Sequence, residues 1–250
     1  MNDVTICIKS FERQNSVNRL LSQLRQADLG ARILVADDSE RPLDIQGADK
    51  VIRLPFDVGL SAGRNALVAE VDTPYFVIMD DDNVIYNRTN FGLMHKTIKE
   101  TSFNIVGGQM RRTVFFGVVE LEGQTVHQYH YGWRGVSEGH KVVDYCDNFF
   151  MAETEVVRNN PWDERIKITW EHIDFFMQGK QTGDFKVCRV ASFTGDNKLC
   201  ESKEHQERYA KFRGRDQEFR DIFDAKWGVH KFEQHWEKRL MEKHDLRLGA

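Results

Sequence analysis

The chain has 250 residues, 40% of them hydrophobic and 30% charged, with a net charge of −4. That length supports one large α/β domain or two small ones with ample core, and the charge gives no general electrostatic footing for nucleic acid. No apolar run reaches membrane-spanning length, and Met1-Asn2-Asp3-Val4 lacks the basic stretch and apolar core of a secretion signal.

Val4-Thr5-Ile6-Cys7-Ile8 reads as a strand, and Ser10 to Arg13 follow as a polar loop. Val17, Leu20, Leu21 and Leu24 recur at the spacing of an amphipathic helix over residues 16–26. A second strand, Ala31 to Ala36, ends in Asp37-Asp38-Ser39. A third, Lys50 to Leu54, leads to the segment Asp57 to Asn65, and a helix over 64–71 leads to a fourth. That fourth run, Tyr75-Phe76-Val77-Ile78-Met79, ends abruptly in Asp80-Asp81-Asp82-Asn83. Its shortness and β-branching predict a buried strand whose carboxylates stand at the edge where open α/β sheets bind ligands. Alternation along an extended chain points Asp80 and Asp82 one way and Asp81 the other. Two carboxylates without His or Cys beside them suit a hard cation, Mn²⁺ or Mg²⁺. A solvated acidic turn is the plain alternative.

Strands alternating with helices predict a mostly parallel sheet, with Ser10 to Arg13, Asp37, Asp38, Arg64 and the acidic triplet on one edge. Beyond Asn83 the pattern changes. A helix over Phe91 to Glu100 and a strand entering Gly107-Gly108 precede antiparallel strands over 112–145, with turns at Glu122-Gly123 and Glu138-Gly139. Asn148 to Ala152 is another short apolar run, Trp170 to Phe176 opens a helix, and Phe185 to Val190 is a last strand. From Glu201 the chain is highly charged yet keeps Tyr209, Phe212, Phe219, Phe223 and Trp227. These predict one or two amphipathic helices lying on the body or on a partner surface. Cys7, Cys146, Cys188 and Cys200 lie far apart without a CxxC pair, which reads as free thiols in a reducing cytoplasm. The nine histidines show no metal spacing, and His127 and His130 lie on an extended segment without cysteine partners.

Several of these blocks, in order, resemble the nucleotide-sugar glycosyltransferases of the GT-A fold. Ala36-Asp37-Asp38-Ser39 resembles that family's V-D-D-x-S element, Asp57 to Asn65 its N-x-G-x-x-x-A-R-N segment, and Phe76 to Asp82 its D-x-D. Asn148-Phe149-Phe150-Met151-Ala152, Trp162-Asp163-Glu164 and Glu171-His172-Ile173-Asp174-Phe175-Phe176 look closest to the β-1,4-N-acetylgalactosaminyltransferase branch. Two departures stand out: Glu171-His172 replaces a common Glu-Asp pair, and Lys9-Ser10-Phe11 replaces Pro-Thr-Tyr.

The resemblance implies a GT-A domain over 1–200, with a nucleotide-sugar half (1–100), an acceptor half (101–200) carrying a small antiparallel sheet, and a charged helical tail over 201–250. It implies a metal-dependent inverting transfer from a UDP-sugar to a glycan or lipid-linked glycan. The setting would be bacterial surface polysaccharide synthesis in the cytoplasm, where the tail could meet the membrane's inner face or a sister subunit. The nucleotide-sugar site would draw on Ser10, Phe11, Glu12, Arg13, Asp37, Asp38, Arg64, Asp80 and Asp81, with Asp37 or Asp38 accepting from the uracil ring and Arg64 meeting the diphosphate. Asp80 and Asp82 would hold the metal, with His205 as a third ligand. Glu171 is the expected general base, with His172 and Asp174 as the other candidates; on a helix Glu171 and Asp174 share a face and His172 is turned away. Asp147, Asn148 and Trp170 would meet the acceptor sugar. Two rivals stand beside this reading. Met79-Asp80-Asp81-Asp82-Asn83-Val84 also fits the D-x-D-x-V of haloacid dehalogenase-type phosphatases, and a non-catalytic sugar-nucleotide-binding protein would keep the same fold.

Overall fold

A computed structural model describes residues 1–110, 115–195, 199–236 and 247–248. The first residues of the segment 112–145 and the end of the tail fall outside the described residues. The first half alternates strand and helix: β1 (Val4–Ser10), α1 (Gln14–Gln26), β2 (Arg32–Asp37), β3 (Lys50–Arg53), α2 (Gly59–Ala69), β4 (Tyr75–Asp80) and α3 (Phe91–Glu100). The second half adds β5 (Ile105–Met110), β6 (Gly117–Glu122), β7 (Thr125–His130), β8 (Gly132–Trp133), β9 (Gly135–Ser137) and β10 (His140–Val143). Then come β11 (Phe149–Glu153), α4 (Thr154–Asn159), α5 (Glu171–Thr182) and β12 (Val187–Thr194). The tail supplies α6 (Lys203–Arg213), α7 (Asp216–Trp227), β13 (Lys231–His235) and β14 (Arg247–Leu248).

Nine strands form one sheet in the order β3-β2-β1-β4-β11-β5-β12-β10-β9. The first four are parallel; β11 then runs antiparallel to both β4 and β5, so the sheet changes character beside the acidic triplet. Alternation explains why the central runs are apolar throughout: each strand buries both faces. Phe76 and Ile78 of β4 join a core with Leu67 of α2 and Phe175 and Phe176 of α5, while Val77 and Met79 face a second core with Leu20 of α1 and Met94 of α3.

The tail packs on the body. Phe219 and Phe223 of α7 are buried in the first core. The tail is not wholly helical: β13 pairs in parallel with β7, making a three-stranded sheet β13-β7-β6. Its alternate residues explain this: Phe232 turns inward against Trp170 and Phe223, and charged neighbours turn outward. No helix among the described residues is long and apolar enough to cross a membrane.

Candidate active site

Parallel register sets the rim of the site. Ser10 of β1 lies opposite Asp37 of β2, and Lys9 lies opposite Asp80 of β4. Because β11 runs antiparallel and Phe149 pairs with Met79, Asp147 and Asn148 arrive beside Asp80 from the other direction. The first turn of α5 brings Glu171 and His172 to the same place. Together they line a cavity of about 280 Å³, whose wall includes Lys9, Arg13, Asp80, Asp81, Asp82, Asp147, Asn148, Glu171, His172 and Tyr209.

Two guanidinium groups balance these carboxylates. Arg13 Nη1 donates to Asp81 Oδ1 at 2.9 Å and to Asp82 Oδ2 at 3.0 Å, and the Tyr209 ring lies 4.3 Å from its guanidinium carbon. Arg64, only 1% exposed, reaches Glu171 Oε1 at 3.1 Å and Asp80 Oδ1 at 3.4 Å. One buried cation therefore links the acidic rim to the helix opposite. Asp80 is the most open of the triplet, with a side chain 25% exposed, and Asn148 Nδ2 lies 3.4 Å from its second oxygen.

The strand ends at Asp80, and this corrects the expected alternation. Asp81 and Asp82 belong to the following turn, so Asp81 does not point away: it lines the cavity and accepts from Ser10 Oγ at 2.8 Å. The three-ligand set of Asp80, Asp82 and His205 is not assembled either. Among the described residues, their donor atoms do not gather within 4.8 Å of one another, and Arg13 pairs with Asp82. His205 sits on α6 one turn before Tyr209, with Nε2 buried and lacking a hydrogen-bond partner among the described residues. The rim itself remains an all-oxygen carboxylate set facing a cavity. That donor chemistry fits a hard cation held by one or two carboxylates together with a substrate's phosphate oxygens.

Glu171 is buried; burial raises its pKa, Arg64 opposes the shift, and the charge on Asp80 adds to it. Its Oε1 is fixed by Arg64, while Oε2 has no hydrogen-bond partner among the described residues. His172 is turned toward the cavity, not away. Its Nε2–H donates to the Cys146 carbonyl at 2.6 Å, which leaves Nδ1 an acceptor with no partner among the described residues. Burial, with help from Arg64, lowers its pKa to about 3, so the ring is neutral and weakly basic. Asp147 is buried, which raises its pKa to about 8; the Met110 amide approaches Oδ2 at 3.4 Å.

Other expected site residues lie elsewhere. Asp174 faces α7, accepting from Lys226 Nζ and Trp227 Nε1, both at 2.8 Å. It does not share the cavity with Glu171, because the cavity lies off the helix end and only the first residues reach it. Trp170 packs against Phe223, Phe232 and Arg220, and its Nε1 donates to Asp216. It docks the tail and does not line the cavity. Asp37 holds the backbone N–H groups of Ser39 and Leu43 and pairs with Arg53. Asp38 pairs with Lys9 and accepts from the Gly59 N–H. Both carboxylates are thus taken up by the fold behind the cavity wall, as are Ser10 and Arg64. Glu12, at a φ of 57°, caps the Ser39–Glu40 turn. Phe11 does line the cavity, within an aromatic group of Phe56, Tyr209 and Phe212.

Sequence reasoning missed Lys9 and Tyr209 as cavity residues. Lys9 carries a signal, a cation at the end of an otherwise apolar strand. Tyr209 shows only as one aromatic in a charged tail.

An open α/β sheet with an acidic rim after its fourth strand, faced by a helix from the second half, defines a GT-A architecture. The chain belongs to the family described as glycosyl transferase family 2, whose profile matches residues 5–160. Human β-1,4 N-acetylgalactosaminyltransferase 1 is 30% identical over 191 residues, covering 70% of this chain and 36% of the relative. Mouse β-1,4 N-acetylgalactosaminyltransferase 2 is 29% identical over 187 residues, covering 71% and 36%. The chain thus spans about a third of the length of these relatives. Among solved structures, TarS of S. aureus matches with a TM-score of 0.56 at 13% identity, over 79% of this chain and 37% of that one. TarS 1–349 in complex with UDP-GlcNAc matches with a TM-score of 0.57 at 12% identity, over 82% and 61%. The family sets aside the dehalogenase-type phosphatase reading.

Proposed function

We propose that the chain transfers an N-acetylhexosamine or related hexose from a UDP-sugar to a glycan hydroxyl, with inversion and with Mn²⁺ or Mg²⁺. One observation carries this reading: the acidic rim and Glu171 share a single cavity and are bridged by the buried Arg64. The names of the matched relatives and the nucleotide sugar bound to TarS support the donor class.

Asp80 and Asp82 would hold a divalent cation, which would supply Lewis-acid stabilisation of the departing diphosphate. The protein's own groups do the rest. Glu171 presents Oε2, which has no hydrogen-bond partner among the described residues, to the acceptor hydroxyl and removes its proton as the oxygen attacks. Arg64 fixes the other oxygen and so orients the base. A single base on the side opposite the leaving group gives in-line displacement, hence inversion. Asp147, protonated near neutral pH by its burial, offers an O–H donor to a sugar hydroxyl, and Asn148 offers an amide beside Asp80. Phe11 and Tyr209 form the apolar rim on which a nucleobase can lie.

Calorimetry with UDP and Mn²⁺, followed by mass spectrometry across a panel of UDP-sugars, tests the proposal. Asp82→Asn is expected to weaken UDP binding in Mn²⁺ and to change it little in EDTA. Wild-type protein that binds UDP without turning over any acceptor or donor would leave a binding protein in place of an enzyme.

A further inference from the structure

Three side chains of metal-ligating type lie away from the cavity, half-buried on one face of the β13-β7-β6 sheet. Register places Glu233 of β13 directly opposite His127 of β7, and His235 follows two residues on, on the same face. His127 Nδ1 lies 2.9 Å from His235 Nε2 and 3.2 Å from Glu233 Oε2, and His235 Nε2 lies 3.7 Å from that same oxygen. The two imidazoles are inclined by only 18° with centroids 5.2 Å apart, an edge-to-edge arrangement that turns their nitrogens toward each other.

Those three separations, 2.9, 3.2 and 3.7 Å, bracket the spacing of a metal's ligands. Three ligands of a tetrahedral Zn²⁺ at about 2.0–2.2 Å stand roughly 3.3–3.6 Å from one another. The point equidistant from the three donor atoms lies about 1.9 Å from each, so a cation slightly out of their plane meets all three at bonding distance. The remaining groups suit such a site. Glu122 Oε2 lies 4.0 Å from the other nitrogen of His127, beyond hydrogen-bond reach but adding negative charge beside that ring. Lys231 pairs with the second oxygen of Glu233, leaving Oε2 directed at the imidazoles. Tyr129 stacks on His235 at 4.7 Å and limits its rotation.

We infer that His127, Glu233 and His235 form a binding site for a late first-row divalent cation such as Zn²⁺, a clip joining the tail's β13 to β7. Two imidazoles and one carboxylate favour zinc over the hard cations expected at the acidic rim. The inference is independent of the proposed transfer reaction, since no residue is shared with the cavity.

The test uses the full chain stripped of metal. Zn²⁺ titrated against a chromophoric competitor is expected to bind with one-to-one stoichiometry, and saturation at a hundred times Kd is expected to raise Tm by about 5–10 °C. Co²⁺ in its place is expected to give the visible absorption of a low-coordinate nitrogen and oxygen site. His127→Gln with His235→Gln should weaken zinc binding at least a hundredfold and abolish the Tm shift. Asp80→Asn with Asp82→Asn should leave zinc affinity within about twofold. Should the histidine pair prevent folding, Glu233→Gln, the most open of the three, carries the test, with at least a tenfold loss expected. No zinc binding by the wild-type chain, or equal affinity in the folded variants, overturns the site.

Discussion

At the scale of single residues, the site is governed by carboxylates whose surroundings differ. Glu171→Gln is expected to leave UDP binding nearly intact and to lower turnover by about 10²–10⁴, the range for loss of a general base. Burial raises the Glu171 pKa, and the base must be ionised to act. The acid limb of kcat/KM should therefore lie above the ordinary carboxylate range, with activity lost as pH falls through it; a pH–rate profile checks this. Asp147 behaves differently, because its pKa of about 8 in the fold exceeds the usual 3.8. The folded state holds a proton that the unfolded state releases, so its contribution is favourable below the unfolded pKa and is lost as pH rises toward 8. Asp147→Asn should stabilise the protein above neutral pH, by on the order of a few kcal/mol, and change little near pH 4. Denaturant melts at two pH values measure this. Residue types and order made Asp80, Asp82, Glu171 and Asp147 legible as candidates, and the fold brings them to one cavity. What they touch was not: Arg13 and Arg64 come from distant segments, and only the fold shows them inserted among carboxylates.

At the scale of elements, α5 is the pivot. Its first turn faces the cavity through Glu171 and His172, and on its other side holds α7 through Asp174. Asp174→Ala leaves Trp227 Nε1 without its acceptor and Lys226 with only Asp163 and Gln178, and is expected to cost about 1–3 kcal/mol of stability. UDP affinity of the remaining folded protein should stay near wild type, which separates docking from ligand contact in one pair of measurements. The strands and helices of the first half were readable because each is a short apolar run or a 3.6-residue stripe closed by a polar loop. Strand β13 was not, because its partner lies a hundred residues earlier and its alternation is only five residues long. The alternation rule also failed at a definable point, the last residue of β4, where extended geometry gives way to a turn.

At the scale of the whole molecule, the tail is part of the folded body. Phe219 and Phe223 are buried against residues from both halves of the chain, and Arg215 forms a bidentate pair with Asp57 at 2.6 and 2.8 Å. A chain cut after residue 200 loses this cover, on the order of 5 kcal/mol of apolar burial from two phenylalanines and their neighbours. That approaches the entire stability of a typical domain, so residues 1–200 alone should show no cooperative thermal transition by circular dichroism. The parallel pairing of β13 with β7 also has a consequence for synthesis. Thr125 waits for Lys231, roughly a hundred residues downstream, and at typical translation speeds that interval lasts about 5–20 s. Throughout it the nascent chain presents an unclosed β edge outside the ribosome, ready to stick to any neighbouring polypeptide.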